Sequence, residues 1–222
     1  MGVTDTKRRI IEAMIELHQE IGPAATTVTA IAERAGVQRL TVYRHFPDDR
    51  AMLGACSAHW LESHPLPDPT NWSGIENPRN RLERALTDLY GWFRGGEPML
   101  VSVLPDQARL PAVAEVMAPL WEYFREAAGG LAAGWGVQGD AQRRLRATVG
   151  HAIEFHTWRS LAGQGLRDEE SVELMVMLVA DLAAGAALPE PRESASQVAT
   201  SLQEADRLRP ERKRHDRVHQ KR

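Results

Sequence analysis

Apolar residues recur three and four positions apart along most of the chain, the spacing of one face of a helix. Ile10, Met14, Leu17 and Ile21 predict an amphipathic helix over 6–21, with Thr4, Asp5 and Thr6 as candidate caps and Gly22-Pro23 as its stop. A short helix follows over 28–35, carrying Ile31, Ala32 and Ala35, and Gly36 stands where a chain leaving a helix turns left-handed. Further helices are expected over 38–46 and 51–63, the latter with Leu53 and Trp60 inward and opened by Asp49-Arg50. His64 to Trp72 holds three prolines and reads as a linker or lid. Beyond it, helices are expected over 78–94, 97–108, 111–131, 140–161 and 168–187, with Gly95-Gly96 separating the first two. No alternating strand pattern appears, so the fold class is all-α.

The segment Thr27 to Phe46 is the most informative. Its first helix ends in Gly36-Val37, and its second interleaves the apolar Leu40, Val42 and Phe46 with Arg39, Thr41, Tyr43, Arg44 and His45. That is a helix-turn-helix pattern whose second helix keeps a polar outer face free for a DNA groove. Twelve positions carry a more specific likeness: Thr27, Val28, Ile31, Ala32, Ala35, Gly36, Val37, Thr41, Val42, Tyr43, His45 and Phe46. On them the chain resembles the TetR family of bacterial transcriptional regulators. The likeness covers roughly the first quarter of the chain.

The resemblance implies three regions: a helix-turn-helix DNA-binding domain at 1–50, a helical ligand-binding and dimerisation domain at 51–188, and a basic tail at 189–222 that reads as disordered. It makes 38–46 the recognition helix. Gln38, Arg39 and Leu40 are then the candidates for base edges, joined by Thr41 and Arg44, with arginine suited to guanine and glutamine to adenine. Tyr43 and His45 look like the family's backbone-contacting pair. Thr27 or Thr29 caps the preceding helix and can present a phosphate site. Two positions depart from the family: Gln38 stands where serine is usual, and Asp49-Arg50 replaces a lysine followed by an acid. Arg50 is the candidate to supply that lysine's contact.

Charge adds one thing. The whole chain carries −3, but Arg207 to Arg222 holds eight basic against two acidic residues, a net +6 that leaves −9 elsewhere. The head is therefore not basic overall, and must gather its cations on one face to meet phosphates. The tail can add nonspecific DNA affinity through counterion release or serve as a solubilising end. A single cysteine, Cys56, excludes an internal disulfide framework and fits a reducing compartment. No signal-type segment or run of about 20 apolar residues appears, so the expected location is cytoplasmic, with no membrane partner.

Candidate chemistry in the second region is sparse. His151, Glu154 and His156 form the most tempting cluster, but a helical zinc site needs histidines four apart and these are five apart. No nucleophile elbow, phosphate-binding loop or dinucleotide fingerprint appears. The expectation is a non-enzyme without catalytic residues, metal or cofactor. The better candidate is an apolar pocket for a small apolar or amphipathic effector, walled by Trp92, Phe93, Met99, Leu104, Met117, Trp121, Phe124, His151, Phe155 and Trp158. The helices over 140–161 and 168–187 should lie antiparallel, and the second carries a wider apolar stripe than one partner needs. By resemblance they form a four-helix homodimer interface through Leu145, Val149, Leu174, Leu178 and Leu182. The function this implies is a ligand-responsive repressor bound as a homodimer to a palindromic double-stranded operator. Two alternatives stay open: a DNA-binding regulator without an effector, and a helical-bundle enzyme.

Overall fold

A computed structural model describes residues 3–185. The basic tail lies outside the described residues. Every regular element among the described residues is helical.

The head is three helices around a small core. Helix α1 (Val3–Ile21) contributes Ile10, Met14 and Leu17, α2 (Val28–Ala35) contributes Ile31, Ala32 and Ala35, and α3 (Arg39–His45) contributes Val42. Phe46 closes this core just past α3. Thr27 caps α2 by accepting from the Ala30 amide at 3.1 Å. Gly36 ends α2 at φ 64°, ψ 41°, and the Val37 amide reaches back to the Ala32 carbonyl at 2.9 Å. Gln38 and Phe46, expected inside the recognition helix, are its caps, with extended backbone.

Helix α4 (Asp49–Ser63) is shared between two cores. Met52 and Cys56 complete the head's core, while Trp60 packs into a second and larger one. Its cap is Asp48 rather than Asp49: the Asp48 carboxylate accepts from the Ala51 amide at 2.7 Å.

The expected linker at 64–72 is tied down instead of loose. It contains one short helical turn, α5 (Thr70–Ser73), which buries Trp72. The Tyr123 hydroxyl donates to the Pro67 carbonyl at 2.8 Å and Trp92 Nε1 to the His64 carbonyl at 3.1 Å.

Two expected helix boundaries differ. Helix α6 (Pro78–Val103) runs straight through Gly95-Gly96 and Pro98. Gly96 is there for contact: a Cβ on it would meet the Trp60 ring at 3.0 Å, so α4 can approach α6 closely only at a glycine. Burial of Leu89, Phe93, Met99 and Leu100 along the same helix outweighs the hydrogen bond that Pro98 removes. A 3-10 turn (Leu104–Ala108) and α7 (Pro111–Leu131) follow.

The single helix expected over 140–161 is two: α8 (Gly139–Ala152) and α9 (Phe155–Gly163). Glu154 adopts extended backbone between them. The break leaves helix-end carbonyls without intrahelical partners, and the fold supplies some: Tyr90 donates to the Ala152 carbonyl at 2.8 Å and Thr157 to the His151 carbonyl at 2.6 Å. Helix α10 (Asp168–Ala183) closes the described chain. Its first-turn acids suit the helix dipole, and Asp168 also receives Arg94 at 2.5 Å and Trp158 Nε1 at 2.9 Å.

Candidate DNA-binding face and effector cavity

Helix α3 separates its residues by period. Val42 and Phe46 point into the head's core. Leu40 and Arg44, four apart, share the opposite face. Gln38, Arg39, Tyr43 and Arg44 are exposed, Thr41 and His45 half-buried, and Leu40 is 77% exposed. The Gln38 side chain makes no cap bond and is free to meet a partner. Thr29 is exposed on the first turn of α2, while Thr27 spends its hydroxyl on the cap. Arg50 departs from this set. Its guanidinium reaches Glu115 of α7 at 3.4 Å, because it sits in the first turn of α4 where that helix meets α7.

The cations at the start of α1 are partly engaged. Arg8 pairs with Asp5 and Glu12 at 3.3 and 3.2 Å, and Lys7 lies 5.7 Å from the Phe46 ring centre. Arg34 of α2 bridges back to Glu16 and Glu20 of α1 at 3.0 and 2.8 Å, holding the two helices in register. These pairs are solvent-exposed and add little to stability.

Two cavities border the larger core, the first of them also reaching the head. The first, about 500 Å³, is lined by His18, Arg50, Leu53, Ser57 and Trp60 on one side and by Trp92, Met99, Leu100, Val113, Glu115 and Met117 on the other. The second, about 410 Å³, is walled by Trp92, Phe93, Leu104, Trp121, Phe124 and Phe155, with Arg125, Glu154 and His156 around it. Trp92, Leu100 and Leu120 line both. Of the expected pocket residues, His151 and Trp158 line neither. The break after α8 leaves the His151 side chain exposed, and Trp158 is held in the core by Asp168. Sequence reasoning missed the contribution of α1 and α4. No local signal carries it, because His18 and Trp92 come to line one cavity only through the tertiary fold.

The same contact zone holds the head to the second region. Asp106, buried, accepts from the Ala24 amide at 2.8 Å, and Ser102 donates to the Gln19 carbonyl at 3.0 Å. His18 lies at 5% exposure beside Cys56, Nδ1 to Sγ 3.4 Å. Burial lowers the His18 pKa to about 4, with Asp106 pulling weakly the other way. Burial also pushes the Cys56 thiol up to about 12, so it stays protonated and unreactive.

The expected dimer residues separate into two sets. Leu145 and Val149 are 0% exposed within one chain, packed in its own core, and so cannot form part of an outer face. They turn inward because α8 packs against α10 and α7. Leu178 is 45% exposed beside the similarly exposed Met177, and Leu174 and Leu182 are half-buried on the same helix.

A short helix-turn-helix with a polar outer face, mounted on a helical body with internal cavities, defines a DNA-binding regulator of all-helical type. Residues 10–56 match the sequence model of the bacterial regulatory proteins of the tetR family. The whole fold is similar to solved structures. A proposed transcriptional regulator of Pseudomonas aeruginosa PAO1 is 15% identical, with 84% of this chain and 94% of that one covered at a TM-score of 0.63. A TetR-like regulator from Rhodococcus sp. RHA1 is 18% identical over 83% and 97%, TM-score 0.57. AibR, solved in complex with isovaleryl coenzyme A and operator DNA, is 19% identical over 78% and 97%, TM-score 0.58. No helix among the described residues is long and apolar enough to cross a membrane.

Proposed function

We propose that this protein is a ligand-responsive transcriptional repressor, acting as a homodimer on a palindromic operator. It divides into the DNA-binding head over 1–50, the ligand-binding and dimerisation region over 51–188, and the basic tail over 189–222. The observation that carries the reading is the 500 Å³ cavity, whose walls come from α1 and α4 on one side and α6 and α7 on the other. A small molecule there touches the helices that hold α3 and those that would fix its spacing to a partner's α3. A ligand shifts an equilibrium only through contacts that differ between states, and a cavity spanning both regions supplies them. The Arg50–Glu115 pair, 3.4 Å apart across α4 and α7, is one contact that such a ligand would disturb. The half-exposed Met177 and Leu178 on α10 support a partner on that face. A two-fold dimer presents two α3 helices roughly 34–36 Å apart, one DNA turn. The fold shared with AibR, solved in complex with isovaleryl coenzyme A and operator DNA, is consistent with an apolar or amphipathic effector.

The test starts with selection of bound duplexes from a random pool, at fixed near-physiological salt with random competitor. Small apolar molecules are then screened for release. Trp60 and Trp92 both line the cavity, so occupancy reads out in tryptophan emission. Release of the selected duplex should track that emission change and be lost in Trp92→Phe or Met117→Trp. Molecules that alter the emission yet leave duplex affinity unchanged would remove the effector from the function and keep the DNA binding.

A further inference from the structure

The geometry points to Leu40 as the residue that reads a thymine 5-methyl group in the operator half-site, an assignment that rests on the DNA-binding reading above. Leu40 is the most exposed of the large apolar side chains among the described residues, at 77%. It belongs to neither core: the head's core takes Val42 and Phe46 from this stretch and is flanked by Val37, not Leu40. Isolated exposed leucines are ordinary on protein surfaces. This one is placed where ordinary does not apply. Its neighbours on the outward side of α3 are Arg39, Tyr43 and Arg44, and Arg44 shares its face one turn along. Each of these neighbours is a hydrogen-bonding group suited to a base edge or a phosphate, whereas leucine is suited to neither. The major-groove edge of a base pair offers one apolar feature, the thymine methyl. A leucine among hydrogen-bonding groups, facing a groove, therefore selects T at one position of the half-site. Because Leu40 carries no charge, it should add discrimination and nothing to salt dependence.

The experiment uses the full chain and the duplex selected as above. Each thymine of a half-site is replaced in turn by deoxyuridine, which deletes only the methyl, and binding is followed by fluorescence anisotropy at fixed salt. One thymine per half-site should respond with about a fourfold loss, the worth of one buried methyl. In Leu40→Ala the same replacement should cost nothing, while the slope of affinity against salt stays that of the parent. Leu40 is solvent-exposed, so this variant keeps its fold, checked by an unchanged melting temperature. Uridine tolerated at every thymine, or an equal loss in parent and variant, overturns the assignment while leaving specific DNA binding intact. Loss of the dimer in DNA-free Leu40→Ala would also overturn it, giving the side chain to a protein contact. Failure to select any duplex sinks the DNA-binding reading itself, and this assignment with it.

Discussion

His18 should make the protein acid-sensitive over a defined window. The imidazole sits at 5% exposure at the end of α1, against Cys56 and facing Asp106. Its folded pKa is lowered from 6.5 to about 4, first by burial. Above pH 6.5 the ring is neutral in both folded and unfolded chains and contributes no pH dependence. Between 6.5 and 4 the unfolded chain takes up a proton that the native state refuses, so stability falls as pH falls. One pH unit in that window is worth about 1.4 kcal/mol. Going from pH 7 to pH 5 crosses roughly 1.5 units of it and should cost about 2 kcal/mol. For a domain of this size that lowers Tm by roughly 4–8 °C. Cys56 does not interfere, since its thiol is pushed up to about 12. The assay is thermal and urea unfolding by circular dichroism at both pH values and constant ionic strength, for the parent and His18→Gln. The glutamine cannot take up a proton, and subtraction removes every other titrating group. The parent should lose about 2 kcal/mol more than the variant on acidification. Asp106→Asn, which removes the one opposing charge, should make the parent's loss steeper. Equal losses in parent and His18→Gln would refute the reasoning: His18 would then be protonated in place or open to water.

Arg44→Ala should weaken binding to the selected operator by about 1–3 kcal/mol and to random duplex by much less; equal losses, measured by competition, would make Arg44 a phosphate contact only. Leu178→Glu should shift the sedimentation mass toward the monomer by placing charges on the proposed α10 face, and an unaltered mass would move the interface elsewhere. Gly96→Val should cost about 1–3 kcal/mol through overpacking, since even a Cβ there meets the Trp60 ring at 3.0 Å; an unchanged Tm and Trp emission would mean that α4 and α6 are farther apart than described.

The head was almost wholly legible because its determinants are local. The Gly36 turn, the Thr27 cap and the inward Ile31, Val42 and Phe46 are each set by a few neighbouring residues. The body was legible in kind but not in its interruptions. Gly95-Gly96 reads as a helix break by propensity, yet burial on both sides carries α6 through it. The reverse holds at Ile153-Glu154, where helical periodicity continues in sequence while Tyr90 and Thr157, one of them 62 residues away from its acceptor, satisfy a chain that has stopped being helical. His151, Leu145 and Val149 fall elsewhere than expected for one reason: spacing gives a residue's side of its own helix, not which helix lies opposite. The cavity was half-legible, its α6 and α7 walls by their aromatic and methionine content, its α1 and α4 walls not at all.

Helix α4 places Met52 and Cys56 in one core and Trp60, one turn further, in the other. The two cores therefore share a structural member, and neither can melt without stripping the other of part of its packing. Thermal unfolding of the described region should be a single cooperative transition rather than two. The same sharing limits modular exchange. A hybrid regulator joined at residue 50 would leave the transplanted head without Met52 and Cys56, and an apolar gap under α1. A junction placed after Trp60 would carry the head's core intact but would have to reproduce a glycine opposite the tryptophan ring in the recipient's α6.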